Sequence, residues 1–219
     1  ETKITQDISA LGSLKGALAD FQSTLSSVNA IDTYEKRNAS SSSASAVSVS
    51  VTADAAVGTF NLSVASLAKS QSLAVRNQFS SVNEVVGTGT LTFTLGTTSY
   101  TSNANTANDT YGGFVAKAGA ASKTVTIDSS NSTLSGVRDA INAADIGVSA
   151  AIVNDGTSFR LLISNNSTGA ENSLQINVSD SGDSNDTDQS GLSRLAFNSS
   201  AGTTNVYQTT AASDAAFTI

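Results

Sequence analysis

The residues able to do chemistry in this 219-residue chain are few in kind, because His and Cys are both absent. Without His there is no imidazole base, no imidazole metal ligand and no side chain that titrates near neutral pH when unperturbed. A Ser-His-Asp triad is impossible within the chain. Without Cys there is no thiolate nucleophile, no thiolate zinc site and no disulfide. Hydroxyls, carboxylates, amides and a few amines remain. A Ser-Lys pair stays open on composition, but no spacing singles one out. Carboxylates are scattered, so sequence order gives no glycosidase-type pair, and no G-x-x-x-x-G-K-[ST] run offers a phosphate cradle. The densest acidic group is Asp180, Asp183, Asp186 and Asp188, inside the run D-S-G-D-S-N-D-T-D-Q-S-G at 180–191. Alternate oxygens suit Ca²⁺. The EF-hand order is not met, since the Gly is misplaced and no Glu closes the loop; a solvated loop without metal is expected. The sequons at Asn38 and Asn61 read as accidents of an Asn/Ser/Thr-rich surface. The expectation is therefore no catalytic residue, no metal and no cofactor.

Function must then lie in surfaces and in the elements that position them. Eleven Lys and Arg stand against 18 Asp and Glu, a net charge of -7, which lacks the footprint of a nucleic-acid binder. No apolar run is long enough for a transmembrane helix, and no basic start precedes an apolar segment as in a signal peptide. The absence of Met predicts a processed or excised piece. Pro is absent too, so turns must rest on Gly, Asn, Asp and Ser.

The first segment carries the clearest pattern. Ile4, Leu11, Leu18 and Leu25 fall seven apart, and Leu14, Phe21 and Val28 form a second series offset by three. These are a and d positions of a heptad, widened by Ile8 and weakened by Asp7 at a d position. A helix of about 30 residues would be roughly 45 Å long. Its stripe needs partner helices, and no other segment offers a matching heptad. The seam Ile4, Leu11, Leu14, Leu18, Phe21, Leu25 and Val28 is thus the candidate helix-packing or oligomer surface.

After the low-complexity break at 38–45 the period becomes two. Val47, Val49 and Val51, then Phe60, Leu62 and Val64, predict a hairpin over 47–64. Leu73 and Val75 resume a strand, and Leu91, Phe93 and Leu95 make the next. Residues 96–122 read as a long polar loop. Val125 and Ile127 form a strand. A helix follows, N-capped by Asn131 or Ser132, with Leu134, Val137, Ile141 and Ala144 inward and Gly147 ending it. Val148-Ala150-Ile152, a type I′ turn at Asn154-Asp155-Gly156, Phe159-Leu161-Ile163 and Leu174-Ile176-Val178 predict a three-strand meander. The fold class is α+β: a long coiled-coil-type helix, then a β-rich two-domain head in which one domain has a single amphipathic helix.

The order of these segments resembles the bacterial flagellar filament-capping protein family, also called flagellar hook-associated protein 2. Four stretches carry the likeness: A-V-S-V-S-V-T-A-D-A-A-V-G-T-F-N-L-S-V-A-S-L-A-K-S-Q at 46–71, T-L-S-G-V-R-D-A-I-N-A-A at 133–144, G-V-S-A-A-I-V-N-D-G-T-S-F-R-L-L-I-S at 147–164 and D-A-A-F-T-I at 214–219. In the first, the family pattern includes Gly58, Phe60, Val64, Leu67-Ala68 and Gln71. The middle two resemble a unit shared with flagellins and hook–filament junction proteins, so a flagellin-like or junction protein is the rival reading, and a surface adhesin binding host glycans or mucin is another. The resemblance implies a structural, non-enzymatic protein at the flagellum tip, exported by the flagellar secretion system. Its expected partners are other copies in a ring, flagellin and hook-associated proteins, with no membrane insertion. It implies a leg segment and Ser-rich linker at 1–45, a partial head domain from 46–86 plus 180–219 with strands beyond Ile219, and an inserted α+β head domain at 87–179. The loops 96–122 and 180–191 are candidate contact surfaces of that head.

Overall fold

A computed structural model describes residues 2–29 and 36–219. The chain divides into two units, Glu1–Phe60 and Asn61–Ile219.

In the first unit, α1 (Thr2–Val28) realises the heptad segment, and none of its residues is buried. The last part of the expected 30-residue helix lies outside the described residues. Short hydroxyl side chains turn back onto the helix: Ser13 Oγ donates to Ser9 O at 3.1 Å and Ser26 Oγ to Gln22 O at 2.9 Å. Such bonds satisfy polar groups locally and free no apolar surface from water. Beyond it, Ala46 and Val47 N–H both donate to Ser43 O. The expected hairpin over 47–64 does not form. Residues 47–62 join no ladder, and the first strand is β1 (Ser63–Ser66), whose partner is β10 (Ala216–Thr218). Alternation marks which side chains share a face, but a strand exists only where its backbone groups find a partner.

The second unit opens and closes with that β1/β10 ribbon, followed inward by reciprocal backbone bonds between Lys69 and Ser213. Between them lie β2 (Ser72–Val75), β3 (Gly89–Thr101), β4 (Thr110–Ala116), β5 (Lys123–Ile127), α2 (Leu134–Ala143), β6 (Val148–Asn154), β7 (Phe159–Asn165), β8 (Ser173–Asp180) and β9 (Val206–Thr210). One antiparallel sheet has the order β6-β7-β2-β9. In the other, β3 is central: β8 pairs along one edge, from Gly89 to Gly96, while β5 and β4 share the opposite edge in turn. One continuous core runs from Leu73, Val75 and Phe79 through Leu91, Ile127, Val137, Ile141, Leu161 and Ile176 to Leu192, Phe197 and Val206.

That core draws on residues from before, within and after the stretch 87–179. The stretch 87–179 does not close on itself, because β2 from before it lies between β7 and β9. The expected meander is corrected: β8 leaves β7 and pairs with β3 in the other sheet. The expected loop 96–122 is in part sheet, since β3 runs on to Thr101 and returns as β4. Its T-T-S-Y-T end lacks apolar alternation because that end is mostly exposed, so only the β-propensity of Thr and Tyr marked it.

Local chemistry moved two boundaries. Thr133, not Asn131 or Ser132, caps α2, its side chain accepting from Gly136 N at 3.1 Å. Asn131 is committed elsewhere, its Oδ1 accepting from Asp128 N at 2.8 Å. Gly136 packs so closely on Asn131 that an added Cβ would stand 2.5 Å from the Asn131 carbonyl oxygen. The helix ends sooner than expected: Ala144 is its C-cap, Asp145 at φ 45 takes the left-handed position after it, and Gly147, at φ 80, only turns the chain into β6. The β6/β7 turn has four residues, 155–158, rather than the two of a type I′ turn. Asp155 Oδ1 accepts from the Thr157 and Ser158 N–H groups at 2.9 and 2.7 Å, and a side chain that ties two backbone donors widens the loop. These donors hold the Asp155 carboxyl well below the usual carboxylate range.

The sheets are tied by a buried amide pair. Gln71 Nε2 donates to Gln208 Oε1 at 2.7 Å, and Gln71 Oε1 accepts from Leu174 N at 2.6 Å. Gln71→Leu strands both partners and should cost roughly 2–4 kcal/mol, read as a lower urea midpoint at unchanged m. For Asp155 the folded pKa is depressed, so its stabilisation is complete above about pH 4 and fades as the pH falls below that. Asp155→Ala should therefore lower the melting temperature at neutral pH and lose less further stability than the parent on acidification, followed by circular dichroism.

Candidate assembly surfaces

The seam residues all lie on α1. Ile4, Leu11, Leu14, Leu18, Phe21, Leu25 and Val28 are between 52% and 66% exposed, and Ile8 beside them is 65% exposed. Polar residues Lys3, Gln6, Ser9, Lys15, Asp20, Gln22 and Ser26 flank them. Burying one large aliphatic or aromatic side chain contributes about 1.5–3 kcal/mol. Isolated helices gain little from propensity and draw their stability from a packed face. The seam is thus an apolar stripe that the described residues leave in water. Among the described residues no helix is long and apolar enough to cross a membrane.

The acidic segment is more ordered than a solvated loop. Asp180 is buried, its Oδ1 accepting from Gly182 N at 2.7 Å and its Oδ2 from Ser193 N at 3.1 Å. Asp186 Oδ1 accepts from Asp180 N at 2.7 Å, and Asp183 Oδ1 from Asn185 N at 3.0 Å. Asp188 accepts from Ser193 Oγ and Ser190 N, which hold its carboxyl below the usual range. Buried Asn205 fastens the segment from below, its Nδ2 lying 3.0, 2.7 and 2.8 Å from the carbonyls of Thr187, Asp188 and Ser193. The carboxylates therefore shape the backbone, and among the described residues no group of three or more His, Cys, Asp or Glu is placed to hold a metal. Of the two residues that organise it, Ser193 stands out only as polar beside Leu192, Leu195 and Phe197, and Asn205 lies in a polar run, G-T-T-N, with no signal of its own.

The tip between β3 and β4 is likewise fastened. Asp109 is buried and accepts from Tyr100 OH at 2.7 Å and from Asn103 N at 2.6 Å. Burial chiefly, with the nearby Asp109 charge, pushes the Tyr100 phenol up to about 12. Tyr100 and Tyr111 pack on Phe197 with ring centroids 5.8 and 5.1 Å apart. Arg76, just past β2, reaches the same tip: its Nη1 donates to Thr106 Oγ1 at 3.2 Å, its Nη2 to Thr106 O and its Nε to Thr203 O. Its guanidinium carbon also lies 4.8 Å from the Tyr207 ring centroid. Arg160 on β7 approaches that ring at 5.9 Å, and its Nη1 donates to Tyr207 OH at 3.0 Å. Sequence reading missed this arginine–tyrosine cluster, because its members lie on β7, on β9 and just past β2, whose adjacency no spacing reveals. Tyr100→Phe should remove one donor from the buried Asp109 carboxylate and cost about 1–3 kcal/mol in urea unfolding.

Residues 1–71 match the family model described as flagellar hook-associated protein 2 N-terminus. The chain is 33% identical over 199 residues to the B-type flagellar hook-associated protein 2 of Pseudomonas aeruginosa, covering 90% of this chain and 37% of that protein. It is 30% identical over 182 residues to flagellar hook-associated protein 2 of Escherichia coli K12, covering 82% and 34%. It thus spans about a third of the length of these relatives. Among solved structures it is similar to the D2-D3 domains of the flagellar cap protein FliD from E. coli, with TM-score 0.58 and 28% identity over 77% of this chain and 74% of that one. FliD from P. aeruginosa PAO1 gives TM-score 0.51 and 30% identity, covering 75% and 64%.

Proposed function

The chain belongs to the flagellar hook-associated protein 2 family, and we propose that the whole protein caps the distal end of the bacterial flagellar filament and promotes flagellin insertion. The observation that carries this reading is the contrast between the units: a helix with its whole apolar seam in water, and a β-rich unit with its own closed core. A subunit of an assembly needs both, one part that folds by itself and one that is completed by partners. The role is structural and conformational, not enzymatic. The protein acts outside the cell at the flagellum tip, reached through the flagellar secretion system. Its partners are further copies of itself in a ring, flagellin and hook-associated proteins. In this reading Ile4, Leu11, Leu14, Leu18, Phe21, Leu25 and Val28 pack against helices of the same assembly.

Deleting the gene should leave cells without filaments and with monomeric flagellin in the medium; normal filaments would overturn the reading. In the full-length protein, Leu14→Asp with Leu18→Asp should abolish the oligomer in sedimentation, because two charges would enter the seam. The far-ultraviolet β signal and the cooperative unfolding of the β-rich unit should persist.

A further inference from the structure

Asp155-Gly156 is the one Asp-Gly step in the chain, and no Asn-Gly step occurs. Such a step is the most easily rearranged in a backbone. The glycine nitrogen can close on the aspartyl Cγ, because no side chain stands in its way. The N–Cγ bond forms, the carboxyl hydroxyl leaves with a proton as water, and a five-membered succinimide remains. One water then opens either carbonyl of the ring. The product is aspartate again, or isoaspartate, whose backbone runs through Cβ and Cγ. The chain keeps this step for a conformational reason. Gly156 lies at φ 93, where L side chains are strained, and an added Cβ would meet nothing within 4 Å. The turn therefore requires the freedom of glycine at φ and not a close approach.

The turn engages both reacting groups elsewhere. Asp155 Oδ1 accepts from Thr157 N, Thr157 Oγ1 and Ser158 N at 2.9, 2.8 and 2.7 Å, and Oδ2 accepts from Ser158 Oγ at 2.9 Å. These donors fix the carboxylate on residues 157 and 158 and favour its ionised form. An ionised carboxylate lacks the hydroxyl that must leave as water. Gly156 N–H donates to Asn154 Oδ1 at 2.8 Å, so the proton that the nitrogen must lose is also held. Asp155, Gly156 and Thr157 are exposed, so water reaches the site and its exclusion protects nothing here. Isomerisation would disturb the register close by. Asp155 N donates to Ser158 O at 3.1 Å, and Phe159 exchanges both backbone bonds with buried Phe79 at 2.8 Å. One extra backbone carbon at 155 would displace that pairing.

We propose that the donors of Thr157 and Ser158, together with the Asn154 acceptor, form a clamp that keeps the Asp155-Gly156 step from isomerising while the β-rich unit is folded. Asp155 is then a modification site that the turn itself guards, and the step becomes reactive only when the turn opens. The rate of isoaspartate formation follows the population of that open state. The clamp belongs to the β6/β7 turn, and the α1 seam and the cap reading are separate from it.

The full 219-residue chain is aged at neutral pH, folded in buffer and unfolded in guanidinium chloride. Isoaspartate at 155 is measured by peptide mass mapping with fragmentation that separates the two isomers. The folded parent should isomerise at least roughly tenfold more slowly than the unfolded chain, because the bonds of the clamp must open first. Asn154→Ala with Thr157→Ala and Ser158→Ala removes three of the five bonds and leaves the two backbone donors. This triple variant should recover most of the difference, with its urea midpoint showing that the unit is still folded. Thr157→Ser, which keeps the hydroxyl, should stay at the parent's rate. Equal rates in the folded and unfolded parent would overturn the proposal, and that comparison needs no variant. A folded triple variant as slow as the parent would overturn it too, since the rigidity of the hairpin alone would then protect the step. Either outcome leaves the leakage result for the cap reading untouched.

Discussion

Four residues of β2, Ser72–Val75, are hydrogen-bonded on both sides, to β7 on one edge and β9 on the other. Every other feature of the β-rich unit depends on that wedge. Leu73 and Val75 drive it, both fully buried in the core shared with the second sheet. Gln71, just before it, reaches across with its amide to Leu174 N on β8 and to Gln208 on β9. Strands from the start, middle and end of the unit must therefore meet before the β6-β7-β2-β9 sheet has a complete ladder. Such non-local pairing requires loop closure before it returns any contact energy. Once closed, it leaves one continuous core, because removing β2 would part β7 from β9.

Turns in this unit are fixed by side-chain acceptors in place of Pro. Asp128, Asp155, Asp180 and Asn198 each accept from backbone N–H groups two or three residues onward. The same kind of bond occupies two of the buried carboxylates. Asp180 and Asp109 are buried and occupied by donors from their own loops. A carboxylate that organises backbone is already solvated by N–H dipoles and has little left for a substrate.

The two units follow opposite rules. The β-rich unit puts its large apolar side chains out of water, whereas α1 keeps every one of its seam residues in it. The first closes a core of its own, and the second leaves an apolar stripe exposed.

The sequence by itself determined the periodic elements. The seven-residue repeat of Ile4, Leu11, Leu18 and Leu25 specified α1, and the spacing of Leu134, Val137 and Ile141 specified α2, because helical periodicity is local. The alternation at Leu91-Phe93 and Leu161-Ile163 likewise marked strands with one buried face. The likeness at 46–71 pointed to the right family even though its expected hairpin did not form. Tertiary structure alone decided the pairing: that β8 joins β3, that β2 parts β7 from β9, and that Thr97–Thr101 continue a strand. It alone brought Arg76, Arg160 and Tyr207 together and sank Asp180 beneath its loop. The physical reason is the same each time. Periodicity records which side chains share a face, while a ladder partner or a counter-charge is chosen by contacts between residues far apart in the chain, and that choice leaves no local trace.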